Sequence, residues 1–259
     1  MNLDINGLRV LVTAGANGIG LEIARAFAEE GAKVHVCDVD QAALDALAVS
    51  DPALTRSHCD VSDRAAVARM FDEAMAALGG RLDTLVNNAG IAGPTGKVDE
   101  IAPDDWDRTL AICLTGQFNC ARLAVPHLRR SKNPSIVNIS SAAGRFGFAM
   151  RSPYAAAKWG VIGFTKSLAI ELGGDGIRVN AILPGLVAGD RQRRVLESKA
   201  QQSGISFKEM ETRAFSYTSI KEYVTPRQIA DQIVFLASPR GRTISGQDIS
   251  VCGDTRMLA

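Results

Sequence analysis

Short apolar runs recur along this chain, each followed by a longer amphipathic stretch, and that alternation is its main structural signal. The first run, Leu8-Arg9-Val10-Leu11-Val12, has the composition of a strand buried on both faces. It leads through Thr13-Ala14-Gly15-Ala16-Asn17-Gly18-Ile19-Gly20 into a helix that reaches Phe27. The pattern then predicts a strand over Lys33–Cys37 ending in Asp38, a short strand to Cys59-Asp60-Val61, a helix capped at Ser62 and running to Leu78, and a strand from Leu82 to Val86 ending in Asn87-Asn88-Ala89-Gly90. A long helix from about Asp104 to Leu128, a strand over 135–139, a helix carrying Tyr154 and a strand from Ile177 to Ile182 follow. Strands that alternate with helices pair in parallel through right-handed crossovers. The predicted fold class is therefore α/β: a single doubly wound, Rossmann-type parallel sheet of about seven strands with helices on both faces.

The alternation stops between Leu186 and Tyr223. This stretch holds Asp190-Arg191-Gln192-Arg193-Arg194, a predicted helix to Gln202 and a second around Phe207 to Phe215. An insertion of this length in a compact domain usually covers a ligand, so it reads as an extended substrate lid. Thr225-Pro226 caps and starts a last helix, Ile229 to Ala237, and the last strand runs from about Asp248 to Cys252. No linker divides the chain. Residues 1–259 read as one domain with the lid inserted at about 186–223.

Composition narrows the possible partners. A net charge of +1 with 22% charged residues argues against a nucleic-acid binder. No window approaches the ~20 apolar residues of a membrane span, and the N-terminus carries no basic, apolar leader, so a soluble, cytoplasmic protein is expected. The 5 cysteines are odd in number, scattered and without a C-x-x-C pair, which favours reduced thiols. His35, His58 and His127 show no metal-ligand spacing, and no metal site is expected.

Chemistry enters at the strand ends. A strand, a glycine-rich turn and a helix together point backbone N–H groups at a phosphate, and Gly18 and Gly20 would let a pyrophosphate approach closely. Asp38 can accept both ribose hydroxyls of an adenosine and would repel a 2′-phosphate, which favours NAD over NADP. The plain alternative makes Asp38 the N-cap of the helix from Gln41. Asp38, Asp60, Asn87 to Gly90, Ser141 and Pro184-Gly185 all fall at predicted strand C-termini, where ligands of doubly wound sheets bind.

The stretch from Ser140 to Leu172 carries the reactive groups. Tyr154 and Lys158 stand one helical turn apart on the same face, so the ammonium can favour the phenolate and make Tyr154 a general acid/base. Tyr217 and Lys221 share the spacing but sit in a polar loop without an upstream strand. The arginines Arg145, Arg191, Arg193 and Arg194 leave two readings open: recognition of an anionic substrate such as a hydroxy acid, or solvated surface charge.

Over essentially its whole length the chain resembles the short-chain dehydrogenase/reductase family. The residues that carry the resemblance are the turn at 13–20, Asp60, Asn87-Asn88-Ala89-Gly90, Ser141 with Tyr154-x-x-x-Lys158, Asn180 and Pro184-Gly185. The resemblance implies an NAD(H)-dependent oxidoreductase passing hydride between nicotinamide and a secondary alcohol or ketone. It implies that Tyr154 exchanges the proton, Ser141 holds the substrate oxygen, and Lys158 holds the nicotinamide ribose and lowers the Tyr154 pKa. Cofactor contacts then fall to Thr13, Gly15, Asn17, Gly18, Ile19, Gly20, Asp38, Asp60, Val61, Asn88, Ala89, Gly90, Pro184, Gly185 and Val187. A homotetramer or dimer is implied as well, with Phe118, Trp159, Ile162 and Phe164 either at its interface or in the core. Three positions depart from the pattern: Ala14 replaces the first glycine of the turn, Gly189 replaces a threonine after Pro184, and Cys113 replaces a catalytic asparagine. Two alternatives remain, an NADP-dependent 3-oxoacyl reductase and a catalytically inactive NAD-binding regulator or scaffold.

Overall fold

The computed structural model describes residues 2–258. Its strands β1 (Arg9–Thr13), β2 (Lys33–Asp38), β3 (Thr55–His58), β4 (Thr84–Asn87), β5 (Ser135–Ile139), β6 (Arg178–Pro184) and β7 (Asp248–Val251) form one sheet in the order β3-β2-β1-β4-β5-β6-β7. Every pairing is parallel. The order reverses between β1 and β4, so a crevice opens at their carboxyl ends.

Side chains alternate between the two faces of each strand, and each face has its own helix layer. Val10, Val12, Val34, Val36, Val137 and Ile182 pack with Ile23 and Phe27 of α1 (Gly18–Glu29) and Ile229 and Ile233 of α9 (Pro226–Ala237). Leu11, Leu85, Ile136 and Val179 point the other way, onto Met70 and Phe71 of α3 (Arg64–Ala77) and Ala124 and Leu128 of α5 (Gly116–Leu128). A fully buried side chain of this size contributes about 1.5–3 kcal/mol, so the central strands anchor the molecule from both sides.

Several boundaries differ from the sequence expectation. β3 ends at His58, and Cys59-Asp60-Val61 follows as loop. The cap of α3 is Asp63, whose carboxylate accepts the Ala65 N–H at 2.8 Å, while the Ser62 hydroxyl donates to Asp60 at 2.6 Å. The long helix expected over Asp104 to Leu128 is α4 (Pro103–Leu110) and α5 joined by a π-helical turn at Ala111–Thr115. The helix α2 (Gln41–Ser50) is capped by Asp40, not Asp38. α6 (Ser152–Gly173) carries Tyr154 and Lys158.

The segment at 186–223 folds into α7 (Asp190–Ser203) and α8 (Phe207–Ser216), which share a small core of Leu196, Ala200 and Met210. Its two ends are tied together, with the Val224 N–H donating to the Leu186 carbonyl at 2.8 Å and the Ala188 N–H to the Val224 carbonyl at 2.9 Å. Among the described residues no helix is long and apolar enough to cross a membrane.

Candidate active site

The crevice is built around a clamp between β1 and β4. The Thr13 hydroxyl accepts the N–H groups of Asn88 at 3.0 Å and Ala89 at 2.9 Å, and the Asn88 amide donates to the carbonyls of Thr13 and Ala14 at 3.0 Å each. Gly20 sits directly beneath this clamp. A Cβ there would stand 2.0 Å from the Ala14 oxygen and 2.6 Å from the Asn88 amide nitrogen. Gly20 therefore serves close helix-to-strand packing and does not face the crevice, in contrast to the open approach expected from the sequence. Ala14 occupies the left-handed region at φ 50°, and so supplies the turn geometry that glycine adopts more readily.

A cavity of about 630 Å³ fills the crevice. Asn17, Gly18 and Ile19 line one wall, and the Asn17 side chain makes no capping hydrogen bond to α1. The unpaired N–H groups of that first turn thus remain available to an anion. Asp38 and Asp40 line the end of the cavity nearest β2. The Asp38 carboxylate is fixed by the N–H groups of Ala16 and Asp40, both at 3.1 Å. Asn88, Gly90, Pro184, Gly185, Val187 and the helix start at Asp190-Arg191 complete the walls.

Ser141, Tyr154 and Lys158 converge on the same cavity. Ser141 ends the loop after β5, and its hydroxyl accepts the Ala143 N–H at 3.1 Å. The buried Lys158 donates to the Ile139 carbonyl at 2.8 Å, and its Nζ stands 5.7 Å from the centre of the Tyr154 ring. Burial pushes the Tyr154 phenol up, but the charges of Lys158 and Arg191 and a hydrogen bond with Ser141 outweigh it, leaving the phenol below the ordinary tyrosine value. Arg191 reaches in from α7 and donates to the Gly90 carbonyl at 3.1 Å.

Other sequence-predicted residues lie outside the cavity walls. Thr13, Gly15 and Ala89 are buried behind them, and Gly15 packs so tightly that a Cβ would meet Val36 at 2.7 Å. Asp60 is engaged by Ser62, and the Val61 carbonyl by the Asn119 amide at 3.0 Å. Cys113 lies in the π-helical turn, wholly buried and bonded to Ile91. Asn180 ties β6 to the approach of β7 through Ile244 and Gln247.

The four suspected arginines separate. Arg145 is bound to Asp248 and Ser250, away from the cavity, and Arg193 pairs with Glu197 at 2.9 Å on the surface. Arg191 and Arg194 line the cavity. The second Tyr-Lys pair is outside it too, since Lys221 is held by the carbonyls of Phe215, Ser216 and Thr218. Sequence reasoning missed Arg151, whose guanidinium lies 5.5 Å from the Tyr154 ring centre. The signal was its place at the start of the Tyr154 helix, one turn before the tyrosine.

With this geometry in hand, comparison with known proteins is specific. A family model described as enoyl-(acyl carrier protein) reductase matches residues 13–253. A 3-oxoacyl-(acyl-carrier-protein) reductase of Thermotoga maritima is 35% identical over 255 residues, covering 97% of this chain and 98% of the relative. The meso-2,3-butanediol dehydrogenase of Serratia marcescens is 35% identical over 246 residues, 94% of this chain and 92% of the relative. A crystal structure of a variant actinorhodin polyketide ketoreductase with NADPH superposes with a TM-score of 0.89 at 33% identity, covering 96% of that chain and 95% of this one. The chain belongs to the short-chain dehydrogenase/reductase family and is an oxidoreductase.

Proposed function

We propose that this enzyme interconverts a secondary alcohol and its ketone, with Tyr154 exchanging the proton of the substrate oxygen. The observation that carries this reading is the convergence of Ser141, Tyr154 and Lys158 on one cavity of about 630 Å³, where nearby positive charge holds the Tyr154 phenol below its ordinary pKa. In oxidation the Tyr154 phenolate accepts the hydroxyl proton; in reduction the phenol returns it. Ser141 presents its hydroxyl to the same oxygen. The Lys158 side chain beside the Tyr154 ring favours the phenolate form.

The residues present fit a nicotinamide dinucleotide. The uncapped N-terminus of α1 and the side-chain-free Gly18, at φ 54°, suit a pyrophosphate, and Asp38 suits a ribose diol. When bound, this cofactor accepts or supplies the hydride. Two carboxylates, Asp38 and Asp40, at that end of the cavity would repel a 2′-phosphate, which supports NAD over NADP. The NADP-dependent 3-oxoacyl reductase is the second reading, favoured by the Thermotoga maritima relative named as a 3-oxoacyl-(acyl-carrier-protein) reductase and by the NADPH in the ketoreductase structure.

The segment carrying α7 and α8 acts as the lid of this single catalytic domain, since Arg191 and Gln202 already bridge it to Gly90 and Thr95. The reading also includes a soluble cytoplasmic enzyme, and a dimer or tetramer using the exposed Phe118 and Trp159 of α5 and α6. Titration with NADH and NADPH tests the cofactor assignment: tighter NADH binding supports it, and tighter NADPH binding overturns it in favour of the second reading.

A further inference from the structure

Beside the cofactor cleft lies a second chamber of about 390 Å³ that shares Gly90, Arg191 and Arg194 with it. Its inner wall is Arg151, which is only 2% exposed. The guanidinium lies 5.5 Å from the ring centre of Phe148 and 5.5 Å from that of Tyr154. Met150, immediately before it, takes a left-handed φ of 63°, so the backbone is bent to place this side chain inward.

The hydrogen bonding of Arg151 is incomplete. One Nη donates to the Ala92 carbonyl, the other stands 3.5 Å from the Thr95 hydroxyl, and Nε is sealed from solvent with no partner. Arg178, a second buried arginine, shows what a purely structural one looks like here: four oxygens, from Leu236, Gly241, Ala237 and Asn133, surround it. Among the described residues no carboxylate forms an ion pair with Arg151, Arg191 or Arg194. A buried guanidinium stays charged, and an unneutralised charge in such a place is costly unless an anion meets it.

We propose that this chamber is a carboxylate subsite and that the substrate is a short hydroxy acid or its oxo-acid counterpart, held by Arg151 with Arg191 or Arg194 while its carbinol faces Tyr154. The proposal rests on the alcohol-ketone reading of the cleft. The closeness of the guanidinium to the Tyr154 ring lets one small molecule span both groups, and planar guanidinium donors match a carboxylate. A phosphate of the cofactor is the other anion that could seek these arginines.

The test compares lactate and 3-hydroxybutyrate with their primary amides, in wild type, Arg151→Gln and Arg151→Lys, alongside NADH titration of each protein. The expected result is an acid-over-amide ratio of kcat/KM that falls roughly 100-fold in Arg151→Gln, recovers in part in Arg151→Lys, and leaves NADH affinity intact in both. The acids, but not the amides, should also raise the melting temperature of the wild-type complex with NADH. Equal handling of acids and amides by wild type, or a loss of NADH affinity in place of acid selectivity, overturns the subsite. Turnover that survives Tyr154→Phe instead overturns the alcohol-ketone reading beneath it.

Discussion

The Cys113 thiol takes up both backbone polar groups of Ile91, accepting its N–H at 3.3 Å and donating to its carbonyl at 3.4 Å. A carboxamide can make the same pair, with its oxygen accepting and its nitrogen donating. The cysteine thus fixes the chain beside Gly90 through a pair of bonds that an asparagine at 113 could also make. Lys158 lies on the same side: a Cβ on Gly90 would be 3.4 Å from its Nζ and 3.5 Å from the Cys113 sulfur.

Cys113→Asn should therefore leave kcat unchanged or modestly higher, and Cys113→Val should lower stability by about 1–3 kcal/mol because the Ile91 groups lose their partner. Steady-state kinetics and thermal unfolding check the two variants. A large loss of kcat in Cys113→Asn would contradict the account.

Arg191 helps Lys158 and Ser141 to lower the Tyr154 pKa. Oxidation needs the phenolate, so its rate climbs as pH rises through that pKa. Arg191→Gln removes one positive neighbour and raises the phenol pKa. The midpoint of the kcat/KM profile for oxidation should shift to higher pH, while reduction, which needs the phenol, persists to higher pH. An unmoved midpoint would remove Arg191 from the proton chemistry.

Asp38→Asn keeps an acceptor for the Ala16 N–H but removes the charge. The ratio of NADPH to NADH affinity should rise by roughly 10-fold or more, read by fluorescence titration. No change in the ratio would show that Asp38 does not face the ribose.

His35 is buried between the hydroxyls of Thr55 and Ser57, each 2.9 Å away, and burial lowers its pKa to about 4, against a smaller opposing pull from Glu73. The unfolded chain binds this proton near pH ~6.5, and the folded chain does not. Stability should therefore fall as pH drops from about 6.5 towards 4, by up to about 3 kcal/mol. His35→Gln should flatten that part of the profile in urea unfolding across this range.

The sheet and most of its ligand-facing ends were legible because parallel strands are continuous apolar runs that break at the ligand end: Asp38 ends β2, Asn88 follows β4, Ser141 stands two residues past β5 and Pro184 ends β6. The π-helical turn around Cys113 left no such trace, since Ala111-Ile112-Cys113-Leu114-Thr115 reads as ordinary helix, and the contact of Cys113 with Ile91 after β4 is long-range. Asp63 displaced Ser62 as a cap because Asp60 captured the serine hydroxyl, a choice made by loop geometry. Arg151 escaped for a related reason. Its burial goes with the left-handed Met150 before it and with Phe148 in the loop, which spacing does not show; only its place one turn before Tyr154 was visible. Arg145, closer to Ser141 in sequence, was drawn instead to Asp248 on β7.

The most direct test of the central claim is nicotinamide absorbance during turnover of an alcohol and ketone panel by wild type and Tyr154→Phe, each first shown to bind NADH. The account predicts turnover in wild type and a loss of at least about 100-fold in Tyr154→Phe with cofactor affinity retained. Comparable rates in the two proteins would contradict the assignment of Tyr154 as the proton-exchanging group, and intact cofactor binding without turnover in wild type would point to the binding-protein alternative.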